Sequence, residues 1–131
     1  MTRGLRNNNP GNIRISRVRY QGEVQPSKDK SFKQFSSMPY GYRAMFVILR
    51  TYYVKYGLCS ISKMIRRWAP ANENNTIAYI NHVSAWSGIH KDATLEITSK
   101  TMMCAVVAAM SRVENGTKAN GTDVQKGWDL L

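Results

Sequence analysis

The chain is poor in the residues that build metal centres and disulfide frameworks. Its 131 residues include two cysteines and two histidines. No Cys-x-x-Cys pair is present, and His82 and His90 stand alone, so no metal or cofactor is expected. Cys59, next to Leu58, and Cys104, inside Met-Met-Cys-Ala-Val-Val, read as small reduced core residues. There is no run of about 18 apolar residues, which argues against a membrane-spanning helix. The opening MTRGLRNNNPGNIR lacks the apolar segment of a Sec signal peptide. The expectation is synthesis in a cytoplasm, with any action outside requiring release by other means.

Acidic residues are also scarce. Eight Asp and Glu face 19 Lys and Arg, a net charge of +11. That excess is more than solubility asks of a small domain. It points to an anionic partner such as nucleic acid, an acidic membrane face or an anionic cell envelope. Arg3, Arg6, Arg14, Arg17 and Arg19 crowd the N-terminal stretch beside Tyr20. No DNA- or RNA-binding motif accompanies them.

What is present suits one folded domain over 1–131, since 43% of residues are apolar. Residues 1–37 read as a basic, β-rich lobe. Residues 1–12 look irregular, Asn12 to Val18 alternates like a strand, Glu23 to Gln25 reads as a short return strand, and Ser31 to Phe35 as a third. Residues 38–131 read as a helical lobe. Met45, Ile48, Leu49, Tyr52 and Tyr56 share one face of a helix that Gly57 closes. Ser60 caps a second helix bearing Ile61, Met64, Ile65 and Trp68. A third spans Thr76 to Trp86 with Ile77, Ile80 and Val83 inward. A fourth spans Thr98 to Glu114 with a stripe of Met103, Val106, Val107, Met110 and Val113, and Gly116 stops it. Thr122 or Asp123 caps a last short helix containing Val124, Trp128 and Leu131. The expected fold is mainly α (α+β), with about five helices and a small N-terminal β lobe.

Ser-Arg-Val-Glu-Asn-Gly at 111–116 carries the most suggestive single residue. Glu114 follows Met110 by four positions and Val107 by seven, so it borders the buried stripe. Partial desolvation and the negative end of the helix would both raise its pKa. A carboxylic acid that keeps its proton near neutral pH can act as a general acid. The alternative is a solvated helix-end residue neutralised by Arg112 or another cation, since many perturbed carboxylates are structural.

The segments RGLRNNNPGNIR, YQGE, SFKQFSSMPYGYRAM, IRRWAPANENNTIAYINHV and AAMSRVENG run in order along nearly the whole chain. Together they resemble a phage and prophage family usually labelled virion structural protein or lysozyme-like protein. A second resemblance concerns chemistry. In lytic transglycosylases and bacterial glucosaminidases of the lysozyme superfamily, a helix ends in a catalytic Glu followed by Ser-Gly or Thr-Gly, and VENG at 113–116 is similar. NNNPGNIR and FKQFSSMPYGYRAM resemble two segments that follow that Glu in the glucosaminidases. ENNTIAYI at 73–80 resembles the Glu-Thr-x-x-Tyr-Val segment of the transglycosylase cleft, with one residue inserted. The order differs, because here the Glu helix comes last. A circular permutation of a lysozyme-like fold would reconcile the two.

The resemblance implies that Glu114 protonates a glycosidic oxygen. Glu73 or Asp29 could serve as a second carboxylate and give hydrolysis; without one, the substrate's own 6-hydroxyl could attack and leave an anhydro end. Asn7, Asn8, Asn9 and Asn12 would offer amides to sugar hydroxyl and acetamido groups, or else simply form turns. Thr76 and Tyr79 would face the cleft, or Tyr79 would pack. Tyr40, Tyr42 and Trp68 could stack on sugars, with core packing favoured for Trp68. Glu73 has a plain alternative as an acidic residue at a helix N-terminus, and Asp29 one as a turn residue.

Three functions follow as expectations. The first is a monomeric muralytic enzyme acting on peptidoglycan glycan strands, after release or as part of a phage particle. The second is a non-enzymatic protein that binds the cell wall or other virion proteins. The third is a sequence-independent nucleic-acid binder.

Overall fold

The computed structural model describes residues 1–131. Six helices and one two-stranded sheet make up the chain: α1 (Arg3–Arg6), β1 (Glu23–Val24), β2 (Gln34–Phe35), α2 (Met38–Tyr56), α3 (Ile61–Trp68), α4 (Glu73–Ser87), α5 (Lys100–Asn115) and α6 (Gly121–Asp129). The protein is therefore mainly α with a small β lobe. No helix is long and apolar enough to cross a membrane.

Local chemistry sets the helix ends. Ser60, Asn72, Ser99 and Asn120 each lend a side-chain oxygen to a backbone N–H in the following first turn. Such caps satisfy donors that the helix leaves without a partner. α2, α4 and α5 each stop at a glycine in the left-handed region, with Gly116 at φ 71° after α5.

The core is one cluster. α2 lies along α6, and α4 along α5. α2 and α6 approach so closely at Gly127 that a Cβ there would stand 2.7 Å from the Tyr42 Cβ. Phe46 meets Trp128 edge to face, with ring centroids 5.3 Å apart.

The β lobe is built around a buried ion pair. β1 and β2 run antiparallel, with Glu23 opposite Phe35. The Lys33 side chain is 1% exposed, and its ammonium donates to the Ser16 and Val18 carbonyls and to Glu23 Oε1 at 3.0 Å. Burial alone would push the Glu23 carboxyl up. Bonds from Gln25, Lys33 and the Tyr20 N–H outweigh it and hold the group below the usual carboxylate range.

Several local readings need correction. Residues 3–6 form a helical turn capped by Thr2, not irregular chain. Asn12 to Val18 makes only a single bridge, Arg14 to Phe32, because Ile15 and Val18 turn to solvent instead of alternating into a core. α4 begins at Glu73 and buries Thr76, Tyr79, Ile80 and Val83 while exposing Ile77. Asn120, not Thr122 or Asp123, caps α6. Tyr56 and Leu131 are exposed, and both cysteines are half-buried thiols.

Candidate functional site

An open groove of about 480 Å³ runs between the β lobe and the helices. Gly11, Asn12, Ile13, Arg14 and Phe32 form the lobe side; Ile48, Tyr52, Trp68 to Ala71 and Glu114 form the helical side. Glu114 is the one carboxylate on its walls.

The Asn-rich segment builds this geometry from short polar side chains. Asn8 and Asn12 adopt positive φ, 52° and 49°, a conformation asparagine tolerates better than most residues. Asn9 is fully buried, and its amide donates to the Ile13 and Lys33 carbonyls while its oxygen accepts from the Ile13 N–H. Asn115, the last residue of α5, donates to the Pro10 carbonyl at 2.8 Å and accepts from the Thr2 hydroxyl at 2.9 Å. The first residues of the chain are thereby fastened to the end of the helix that carries Glu114.

Three neutral donors converge on the Glu114 carboxylate from three elements. The Asn12 amide donates to Oε1 at 3.0 Å, the Tyr79 hydroxyl to Oε2 at 2.8 Å, and the Trp68 indole N–H to Oε2 at 3.4 Å. Burial first, then the adjacent Glu114 carboxylate, pushes the Tyr79 phenol well above its ordinary pKa, against the opposing bond to Trp68. It therefore stays a proton-bearing donor. Arg112 does not neutralise Glu114, since its guanidinium lies 4.1 Å over the Trp86 ring. The purely apolar setting read from the stripe is thus incomplete: the carboxylate is oriented by hydrogen bonds.

Of the other candidates, Asn12 lines the groove and Tyr79 stands behind Glu114. The rest are placed elsewhere. Asn7 donates to Asp29, and Asn8 to the Phe35 carbonyl. Thr76 is buried and donates to the Ala69 carbonyl, tying the start of α4 to the groove wall. Tyr42 is buried against Ser111 at 3.0 Å, and Tyr40 packs on Gly22. Glu73 is 69% exposed and pairs with Arg66 at 2.9 Å outside the groove. Asp29 is held far below the usual carboxylate range by the Arg3 guanidinium and by bonds from Ser31, Asn7 and Phe32. No three His, Cys, Asp or Glu side chains gather as a metal-holding group.

The sequence does not mark Arg14, Phe32 and Tyr52 as groove residues, and Trp68, for which it favours core packing over sugar stacking, lines the groove. Arg14 lies 5.0 Å over the Phe32 ring, making a cationic and aromatic lip. For Arg14 the available signal was its place next to the apolar Ile13, and for Phe32 there was none, because the burial of the neighbouring Lys33 is visible only in the fold.

Fold and groove together define a small, basic, mainly helical protein with a lone, hydrogen-bonded carboxylate in an open groove. No family model matches the chain. Among curated proteins it is 42% identical over 131 residues to Protein P5 of Pseudoalteromonas phage PM2, an alignment covering 97% of this chain and 80% of the relative. The chain belongs to the family of that phage protein.

Proposed function

We propose that this phage-type protein cleaves the glycan strand of peptidoglycan, with Glu114 serving in turn as acid and base. The observation that carries the reading is a single carboxylate, fixed by three donors, on a groove lined with aromatic residues and the Asn12 amide. Two carboxylate oxygens offer about four lone-pair positions. The three donors leave one on Oε1 and stabilise the negative charge that develops as a proton passes to substrate.

In this account the protonated Glu114 gives its proton to the glycosidic oxygen as the bond to the anomeric carbon breaks. The 6-hydroxyl of the same sugar then attacks that carbon and returns its proton to Glu114. One chain end leaves with a free hydroxyl, the other as a 1,6-anhydro sugar, and no water is consumed. The absence of a second carboxylate from the groove favours this over direct hydrolysis. Tyr52 and Trp68 supply aromatic surface against which sugar rings stack.

The permuted lysozyme-like frame is part of the proposal. The Thr2 to Asn115 bond puts the start of the chain against the end of the Glu helix, the junction that a permutation requires. The Asn12 to Glu114 bond unites the two segments that resemble neighbouring pieces of the glucosaminidases. A basic surface suits an anionic envelope, reached on infection or at release.

The test is mass spectrometry of products released from purified sacculi by wild type, Glu114→Gln and Glu73→Gln. Wild type and Glu73→Gln should release anhydro-ended fragments, and Glu114→Gln should release none. Equal release by Glu114→Gln would remove Glu114 from the chemistry, and no release by wild type would sink the enzymatic reading and leave a wall-binding protein. Reducing ends in place of anhydro ends would replace the 6-hydroxyl with water.

A further inference from the structure

The loop after the groove's lip, residues 14–19, is arranged for a purpose the groove does not use. It reads Arg-Ile-Ser-Arg-Val-Arg. Ile15 and Val18 are 51% and 55% exposed, and Arg14, Arg17 and Arg19 are exposed without a carboxylate partner. The lobe's only two carboxylates are occupied elsewhere, Glu23 by Lys33 and Asp29 by Arg3. Single exposed aliphatic residues are ordinary on a protein surface. Here two stand out from one short loop among three free cations.

The loop is also held from beneath. The buried Lys33 ammonium donates to the carbonyls of Ser16 and Val18 at 3.3 and 2.7 Å, and the Ile15 N–H donates to the Ser31 carbonyl at 3.0 Å. Backbone polar groups point inward to this strut, so the apolar side chains are kept outward instead of collapsing onto the lobe. Ordering entropy is thus spent on folding and not on docking.

We propose that the 14–19 loop docks the protein on a bilayer rich in anionic phospholipid. Ile15 and Val18 enter the headgroup–acyl boundary while Arg17 and Arg19 bind phosphate oxygens. The exposed aliphatic pair favours lipid over a polysaccharide or a nucleic acid, which offer no hydrocarbon to receive it. Docking would set the groove mouth beside the membrane face, through Arg14 at the lip. The proposal stands independently of glycan cleavage.

The test is co-sedimentation with phosphatidylglycerol vesicles and, separately, phosphatidylcholine vesicles. Variants are the doubles Ile15→Ser/Val18→Ser and Arg17→Ala/Arg19→Ala, with thermal unfolding to confirm that each is folded. Wild type should bind the anionic vesicles and leave the neutral ones. The serine pair, whose net charge is unchanged, should weaken binding at least about tenfold. The alanine pair should weaken it about fivefold per arginine removed. Equal binding by the serine pair would reduce the effect to bulk charge and overturn the proposal. So would wild type that ignores phosphatidylglycerol while binding DNA through the same arginines.

Discussion

Replacing Gly4 by alanine probes the construction of the groove with the smallest possible change. A Cβ at residue 4 would stand 2.6 Å from Asn115 Oδ1, 2.8 Å from the Asn9 carbonyl oxygen and 2.9 Å from Asn12 Oδ1. Ordinary contact begins near 3.4 Å, so these atoms must retreat by about 0.5–0.8 Å against a packed interior. None is free to do so without loss. Asn115 Oδ1 accepts from Thr2, the Asn9 carbonyl accepts from the Asn12 N–H, and the Asn12 amide is bonded to Glu114. Overpacking of this kind costs about 1–3 kcal/mol. For a domain of this size that is a fall in Tm of about 4–12 °C. Gly121→Ala is the internal control, because its Cβ would meet nothing within 4 Å and alanine is the better helix former. Calorimetry of both variants, with sacculus turnover measured beside it, reads the effect. Gly4→Ala should lower Tm and turnover together, and Gly121→Ala neither. A Gly4→Ala protein with wild-type Tm would refute the claim that Asn9, Asn12 and Asn115 form a rigid seat for the carboxylate.

Other perturbations separate packing from chemistry. Tyr79→Phe keeps the ring and removes one donor from Glu114; turnover should fall about tenfold to a hundredfold with KM little changed, since a bond to a charged group is worth about 1.5–3 kcal/mol, and an altered KM with intact kcat would place Tyr79 on the substrate instead. Tyr42→Phe should cost about 1 kcal/mol in urea unfolding through loss of the Ser111 bond while leaving turnover intact. Lys33→Met strands the Glu23 carboxylate and should destabilise by about 3–5 kcal/mol at neutral pH. Because the Glu23 pKa is depressed in the folded protein, its contribution is present above the ordinary carboxylate range and fades as pH falls through the folded value. The gap between wild type and Lys33→Met in urea titrations should therefore narrow toward low pH.

Helices were legible because period and punctuation agree. Ser60, Gly57, Gly88 and Gly116 mark ends that the chain obeys. The β lobe was harder, since its order comes from long-range polar contacts and not from alternation. Nothing local in Lys33 announces that it is buried under a loop 15 residues away. Glu114 stood out through its place after an apolar stripe, whereas its partners Asn12, Trp68 and Tyr79 lie 102, 46 and 35 residues from it. Asparagines suited to sugars and asparagines suited to turns carry the same amide, and only the fold separates Asn12 from Asn7, Asn8 and Asn9.

The bond from Thr2 to Asn115 spans 113 positions of sequence, and this has a bearing on timing. A ribosome finishes the lip of the groove long before it reaches the glutamate opposite. Until the final helices emerge, the early segment has nothing to close against, and late-forming contacts of such separation are slow to assemble. A nascent or truncated chain therefore holds Asn12 without the carboxylate it bonds, and the groove exists only once the polypeptide is nearly finished.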